Sequence, residues 1–288
     1  MSVDVLDPPA GASGPATSPT SPSVPTPAPR PAPRASGALR RLRRVSGLFA
    51  VLVCWQLGAS RGLLGSTTPT PAQVLAEAVR LLGSGELLAN LGVSLVRVLK
   101  GLAIGLSIGL VFGLFAGLAR LGEDIIDAPV QAVRMLPHLA LVPLFIIWFG
   151  IGETSKISLI AIGVIFPLYI NVFHGIRGVD ERLVESAKSC GLGRLDLIRK
   201  VVLPGALPQI LVGLRQSLGI AWLSLVVAEQ SATSSGIGYL INQATQFMRT
   251  DTVFVVLMVY ALLGLGTDLL VRAVERRALA WRRGLVAR

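Results

Sequence analysis

The strongest constraint on this chain is a succession of apolar windows, each roughly 17–25 residues long, between residue 91 and residue 271. A helix rises about 1.5 Å per residue, so each window can cross a hydrocarbon core about 30 Å thick. The windows do not alternate polar and apolar residues, as barrel strands must. The sequence therefore predicts an all-α polytopic membrane protein. Composition agrees: 52% of residues are hydrophobic, only 15% are charged, and the mean hydropathy is +0.67. A soluble domain carries about a quarter charged residues.

About six transmembrane helices are expected, over about 45–60, 91–119, 128–149, 157–173, 210–228 and 253–271. The net charge of +11 has two readings, nucleic-acid binding or basic residues facing the cytoplasm. The second is favoured because the charge is divided among short connections. The connection over 174–209 holds Arg177, Arg182, Lys188, Arg194, Arg199 and Lys200. The opposite connections hold only Arg61, Arg80, Lys156 and Arg249. Six spans with this bias place both termini in the cytoplasm.

Residues 1–44 read as a disordered, proline-rich basic tail, too poor in large apolar side chains to offset its ordering entropy. The run over 45–60 reads as a retained first helix, with a cleaved signal peptide as its rival because Gly58-Ala59-Ser60 looks permissive. Residues 273–288 read as a second basic tail. Thr70 and Pro71 suit the start of a surface helix whose apolar positions are Val74, Leu75, Ala78, Val79 and Leu82.

In the second span, Gly101, Gly105, Gly109, Gly113 and Gly117 recur every four residues. Without Cβ atoms they form a stripe against which another helix can pack closely. Arg97 and Lys100 lie near the outer end and are expected to snorkel. Arg120, Glu123 and Asp124 read as an inner turn. Pro129 suits the first turn of the third span, and Pro137 and Pro143 should bend it. Pro167 should bend the fourth. Residues 229–251 read as an outer connection.

The polar interruption over 174–209 predicts two short helices. Asp180 caps the first, which runs to about Cys190, and Gly191 takes the left-handed position that stops it. The second runs from about Arg194 to Val202 and ends at Leu203-Pro204. Ser186 and Ala187 are expected to be exposed for close contact.

Charged groups inside spans are costly. Arg134, Arg215 and Asp268 snorkel or pair, or else Arg134 and Arg215 line a pathway and attract an anion. Glu229 reads as an outer-gate residue or as an ordinary interfacial carboxylate. No phosphate-binding loop, catalytic triad or metal spacing is present, so the chain is not expected to be an enzyme or to hold a cofactor. Cys54 and Cys190 make no disulfide framework. His138 and His174 read as structural.

Within the polar interruption, Glu185-Ser186-Ala187, Gly191, Val201 and Leu203-Pro204 keep the spacing of the loop by which ABC-importer permeases are gripped by their ATPase. Ser186 and Val201 depart from that pattern by small changes. Further strings, Pro137 to Pro143, Trp148-Phe149-Gly150-Ile151, Phe166 to Asn171, Val202 to Pro208 and Ser235 to Leu240, resemble the nitrate/sulfonate/taurine branch, and most of all its aliphatic sulfonate members. The resemblance covers about 88–272. It implies a type I importer core and a permease homodimer in the bacterial inner membrane. It also implies an ATPase dimer bound at Glu185, Ser186, Ala187, Gly191, Val201, Leu203 and Pro204, and an external solute-binding protein. Sulfonates are the expected solutes, with taurine, nitrate or a vitamin precursor as alternatives. An ion-coupled carrier would want acidic residues at the bilayer midplane, and the spans show none clearly placed there.

Overall fold

The computed structural model describes residues 50–63, 65, 67–231 and 233–281. The chain divides into two units, Met1–Ala50 and Val51–Arg288. Only Ala50 of the first is described. The expected tail over 1–44 and the start of the helix expected at 45 lie outside the described residues.

All regular structure among the described residues is helical. In chain order the helices are α1 (Ala50–Ser60), α2 (Pro71–Gly83), α3 (Glu86–Leu118), α4 (Arg120–Arg134), α5 (Val142–Phe149) and α6 (Glu153–Arg177). After them come α7 (Glu181–Ser189), α8 (Arg194–Leu197), α9 (Leu203–Gln230), α10 (Ile237–Gln246) and α11 (Thr250–Ala278). A 3₁₀ turn (His138–Leu141) precedes α5, and a π segment (Ile198–Val202) joins α8 to α9.

Four helical stretches are long and apolar enough to span a bilayer: α3, α6, the run Arg194–Gln230 and α11. A fifth span results if α4 and His138–Phe149 are counted as one, although they meet at 82°. The described part of the predicted first span, α1, is too short to cross alone.

The third predicted span is thus a break rather than a bend. Pro137 is extended, with ψ of 102°, and caps the 3₁₀ turn instead of continuing α4. Its ring disfavours a helical conformation in the residue before it and removes an amide hydrogen. Pro129 lies inside α4, not in its first turn. Ala119 is extended and starts that helix, so Glu123 joins its first turn and favours the dipole. Arg120, Glu123 and Asp124 are therefore helical. α6, in contrast, runs through Pro167 as one helix.

The glycine stripe explains the closest packing. A Cβ on Gly105 would fall 2.5 Å from the Ala161 carbonyl oxygen, and one on Gly113 would fall 2.7 Å from Val172 Cβ. Gly101, Gly109 and Gly117 meet α6 in the same way. The absence of side chains lets α3 lie on α6 along most of its length. α9 packs on α6 too, burying Ala221 and Leu225 against Ile160 and Val164.

α2 starts as expected. Thr70 Oγ1 accepts from the Gln73 amide at 3.3 Å, and the Thr70 amide donates to Gln73 Oε1 at 2.8 Å, a reciprocal cap. Val74 and Leu81 face inward with Val255, Val256, Ile237 and Leu240, while Leu75, Val79 and Leu82 stay exposed. Glu77, buried on the inner face, accepts from Arg80 Nε at 2.6 Å, and from Arg249 Nη2 and Thr252 Oγ1 at 2.7 Å each. The Arg80 hydrogen bonds are the main reason its carboxyl is held down at about 2, against the opposing effect of burial.

Candidate functional site

Three sites stand out: an elbow at one end of the bundle, a buried ion network at the other, and a groove between them.

The elbow follows α6. Asp180 Oδ1 accepts from the Arg182 amide at 2.9 Å and caps α7. The helix stops at Gly191, whose φ is +81°. The Gly191 amide returns to Lys188 O at 2.9 Å and the Leu192 amide to Ala187 O at 3.2 Å. That pair of bonds is the Schellman arrangement, and it needs a left-handed residue between them. Nothing lies within 4 Å of a Cβ added to Gly191, so backbone conformation rather than space demands glycine there.

The expected second helix is corrected. It does not end at Leu203-Pro204 but continues as π segment and α9 into the membrane-length run. Pro204 has no amide hydrogen to offer the carbonyl four residues earlier. The chain absorbs this by widening one turn, and the Leu203 amide reaches Ile198 O, five residues back. Proline here shapes the helix without stopping it.

Burial divides the seven predicted docking residues. Glu185, Ser186 and Gly191 are exposed. Ala187, predicted to be exposed, is half-buried, and with Val184 and Val201 it packs on Leu197, Val202, Leu168 and Ile176. Leu203 and Pro204 are also half-buried. The inner residues brace the elbow, and the outer ones leave a surface that includes Leu183 and Leu195, each 59% exposed.

At the opposite end, Arg97 does not snorkel. Only 2% of it is exposed. Its Nη1 donates to Glu229 Oε1 at 2.7 Å and to Ser235 O at 2.6 Å. Its Nε and Nη2 donate to Glu153 at 2.7 and 2.5 Å. Glu229 is fully buried. It also takes the Ser94 hydroxyl at 2.7 Å and the Gly238 amide at 2.9 Å. The Ile237 amide donates to Ser94 Oγ, and the Gly236 amide donates to Asn90 Oδ1, both at 2.8 Å. The first amides of α10 are thus capped by side chains from α3 and α9. A Cβ on Gly236 would fall 2.3 Å from Glu229 Oε1, and the residue has φ of +112°. Glycine admits the carboxylate.

Residues 229–251 are therefore not a simple connection: Glu229 lies in the last turn of α9, and α10 packs over the network. Glu229 is thus not an exposed interfacial carboxylate but a buried acceptor shared by α3, through Ser94 and Arg97, and by α10, through the Gly238 amide. Sequence reading missed Ser94 and Arg97 as its partners, and Glu153 as the second carboxylate bound by Arg97. The available sign was that Arg97 and Glu229, of opposite charge, are predicted at the same end of two apolar spans.

The groove, of about 600 Å³, lies beside the α4 break and is lined by α6 and α9, including Phe166, Ile170, Ile220 and Leu223. Arg134 and Arg215, the two predicted pathway cations, both line it. Their states differ. Arg215 pairs with Glu275 at 2.7 Å and with Asp268 at 3.4 Å, so its charge is met from α11. Arg134 is exposed and has no ion-pair or hydrogen-bond partner among the described residues. His138, also on the wall, bonds Ser224 at 3.1 Å, and Gly163 leaves room for that approach. His174 is exposed and stacks edge-on with Phe173.

A membrane bundle of this topology, with a paired-helix elbow between its central spans, has the type I fold of ABC-importer permeases. One chain of a crystal structure of an amino acid ABC transporter with histidines superposes with a TM-score of 0.58 at 20% identity, covering 69% of this chain and 97% of that one. The chain belongs to the family described as "Binding-protein-dependent transport system inner membrane component", whose model matches residues 105–279. It is a multi-pass membrane protein of that class. Among its relatives is the Escherichia coli protein named "Putative aliphatic sulfonates transport permease protein SsuC". The two are 49% identical over 232 residues, 80% of this chain and 88% of that protein. The taurine transport system permease protein TauC of the same organism is 35% identical over 242 residues, 82% of this chain and 88% of that one.

Proposed function

We propose that this chain is the membrane subunit of an ATP-driven importer for aliphatic sulfonates. The observation that carries the solute class is the difference in likeness between two relatives over similar lengths: 49% identity to the sulfonate protein against 35% to the taurine protein. Taurine, nitrate and a vitamin precursor remain the alternatives that experiment must separate.

In this reading the elbow faces the cytoplasm, because the six basic residues of 174–209 cluster there. Both termini lie on the same side. Two copies of the chain form the pathway, and an ATPase dimer grips the exposed faces of α7 and α8, Glu185, Ser186 and Gly191 included. A solute-binding protein docks at the opposite end. ATP binding closes the ATPases and brings the two elbows together. Motion passes into the membrane because α8, the π segment and α9 form one continuous helical run. A hinge at Pro204 would dissipate it. ATP chemistry belongs to the partner, and nucleic acid has no part in the cycle.

Growth of a deletion strain on single sulfur sources tests the solute. Loss of growth on alkanesulfonates but not on taurine or sulfate, restored by the gene, is the expected result. Loss on taurine alone would replace sulfonate with taurine.

A further inference from the structure

We propose that the groove beside the α4 break is a transit subsite for an alkyl monoanion and discriminates against zwitterions of the same head group. This rests on the sulfonate reading and adds where in the chain the solute is selected.

The polar side chains lining the groove are Arg134, His138, Arg215 and Gln216, with no carboxylate among them. Arg134 is exposed there and unpaired among the described residues. Arg215 is already answered by Glu275 and Asp268, so the net uncompensated charge is the single cation of Arg134. Gln216 is held by a side-chain relay. Gln209 Nε2 donates to Asn171 Oδ1 at 2.7 Å, and Asn171 Nδ2 donates to Gln216 Oε1 at 2.9 Å. The relay occupies the Gln216 oxygen and leaves its NH₂ as the free end. A guanidinium and an amide NH₂ together suit an oxyanion with several equivalent acceptors and one negative charge. A sulfonate meets that description and carries no proton to lose at neutral pH.

The rest of the wall is apolar. Phe166, Ile170, Ile220 and Leu223 border the same space. An alkyl chain attached to the anion can lie along them and leave water, at about 0.8 kcal/mol per methylene fully buried. No Asp or Glu lines the groove among the described residues. An ammonium on the far end of the chain would meet this apolar wall with no counter-charge. The same walls that favour an alkanesulfonate therefore penalise taurine.

The test uses the assembled transporter, permease with its ATPase and binding protein, in proteoliposomes. ATP-driven uptake of butanesulfonate and of taurine is measured for wild type, Arg134→Gln, Arg134→Lys and Leu223→Asp. Loss of one charge-assisted contact predicts roughly a tenfold or greater drop in butanesulfonate uptake for Arg134→Gln. Arg134→Lys should retain most of it. Leu223→Asp places a carboxylate on the apolar wall and should raise taurine uptake relative to butanesulfonate. A merely damaged protein would lose both. Wild-type butanesulfonate uptake by Arg134→Gln, or an unchanged solute ratio in Leu223→Asp, would overturn the subsite. Failure of the wild-type transporter to carry any alkanesulfonate, with another solute carried, would overturn the sulfonate reading instead.

Discussion

The two ends of the bundle treat charge in opposite ways. At one end Arg97 and Glu229 are withdrawn from solvent and each is bonded by several partners from different helices. At the other, Glu185, Arg182 and Lys188 stand on the open face of α7, and no ion pair among the described residues ties that helix to a span. Arg177 and Glu123 are the pair that joins α6 to α4 at that end, and both are half exposed. Buried, fully bonded charges fix geometry, because breaking one strands the other in low dielectric. Exposed charges leave a surface that a partner can take. One end therefore ties the spans to one another, and the other presents a braced but solvent-exposed surface.

The comparison is broken most sharply at Glu229. Glu229→Ala leaves Arg97 buried with only part of its bonding, and should cost about 3–5 kcal/mol. Thermal unfolding of the purified permease in detergent should show this as a large loss of stability. Glu185→Ala at the other end should leave the midpoint nearly unchanged. Equal effects would mean that the two ends do not differ in kind.

A second variant tests the contact that spans the distance between the ends. Gly105→Leu forces a side chain into the Ala161 carbonyl and Val164, where even a Cβ falls within 2.5 to 2.9 Å. Overpacking of this kind costs roughly 1–3 kcal/mol or more when backbone must move. Gly92→Ala, where a Cβ meets nothing, is the matched control on the same helix. The pair separates close packing from glycine content.

The smallest effect is electrostatic and sharpens what partial burial does. Glu77 is ionised more readily in the folded protein than its ordinary value of 4.5 allows, down to about 2. The depressed value means the carboxylate stabilises the fold fully above pH 4.5 and loses that contribution as pH falls toward about 2. Arg80 and Arg249 are 48% and 45% exposed, so solvent screens the pairs and the contribution is about 1 kcal/mol. Comparing unfolding of wild type and Glu77→Gln between pH 6 and pH 3 checks it. The difference between them should shrink with acid. A constant difference would assign the loss to packing rather than charge.

Much of this was legible because single residues impose local rules. Thr70, Asp180 and Gly191 act through cap geometry that depends only on nearby backbone, and each is found in its expected role. The glycine stripe was legible because a four-residue repeat stays near one helix face, although its partner, α6, was not. Proline was read less well. Pro137 breaks the helix rather than bending it, and Pro204 is absorbed by a π turn rather than ending its helix, since the outcome depends on what can take up the lost hydrogen bond. The buried network was illegible for a different reason. Arg97 near a helix end looks the same in sequence whether it reaches the interface or meets Glu229 inside the bundle. Only the packing of α3, α6, α9 and α10 decides between them. The predicted groove cations were brought together, but their difference in pairing depends on α11, which the sequence places far away.

The most direct test of the account is co-purification of the ATPase with tagged permease carrying Gly191→Arg. The left-handed φ at that position makes any side chain cost about 1–2 kcal/mol locally, and an arginine also projects from the exposed elbow. The account predicts that the permease remains folded in the membrane, with its Arg97 network intact, while ATPase recovery falls sharply. Full recovery of the ATPase with this variant would contradict the assignment of the elbow as the docking handle.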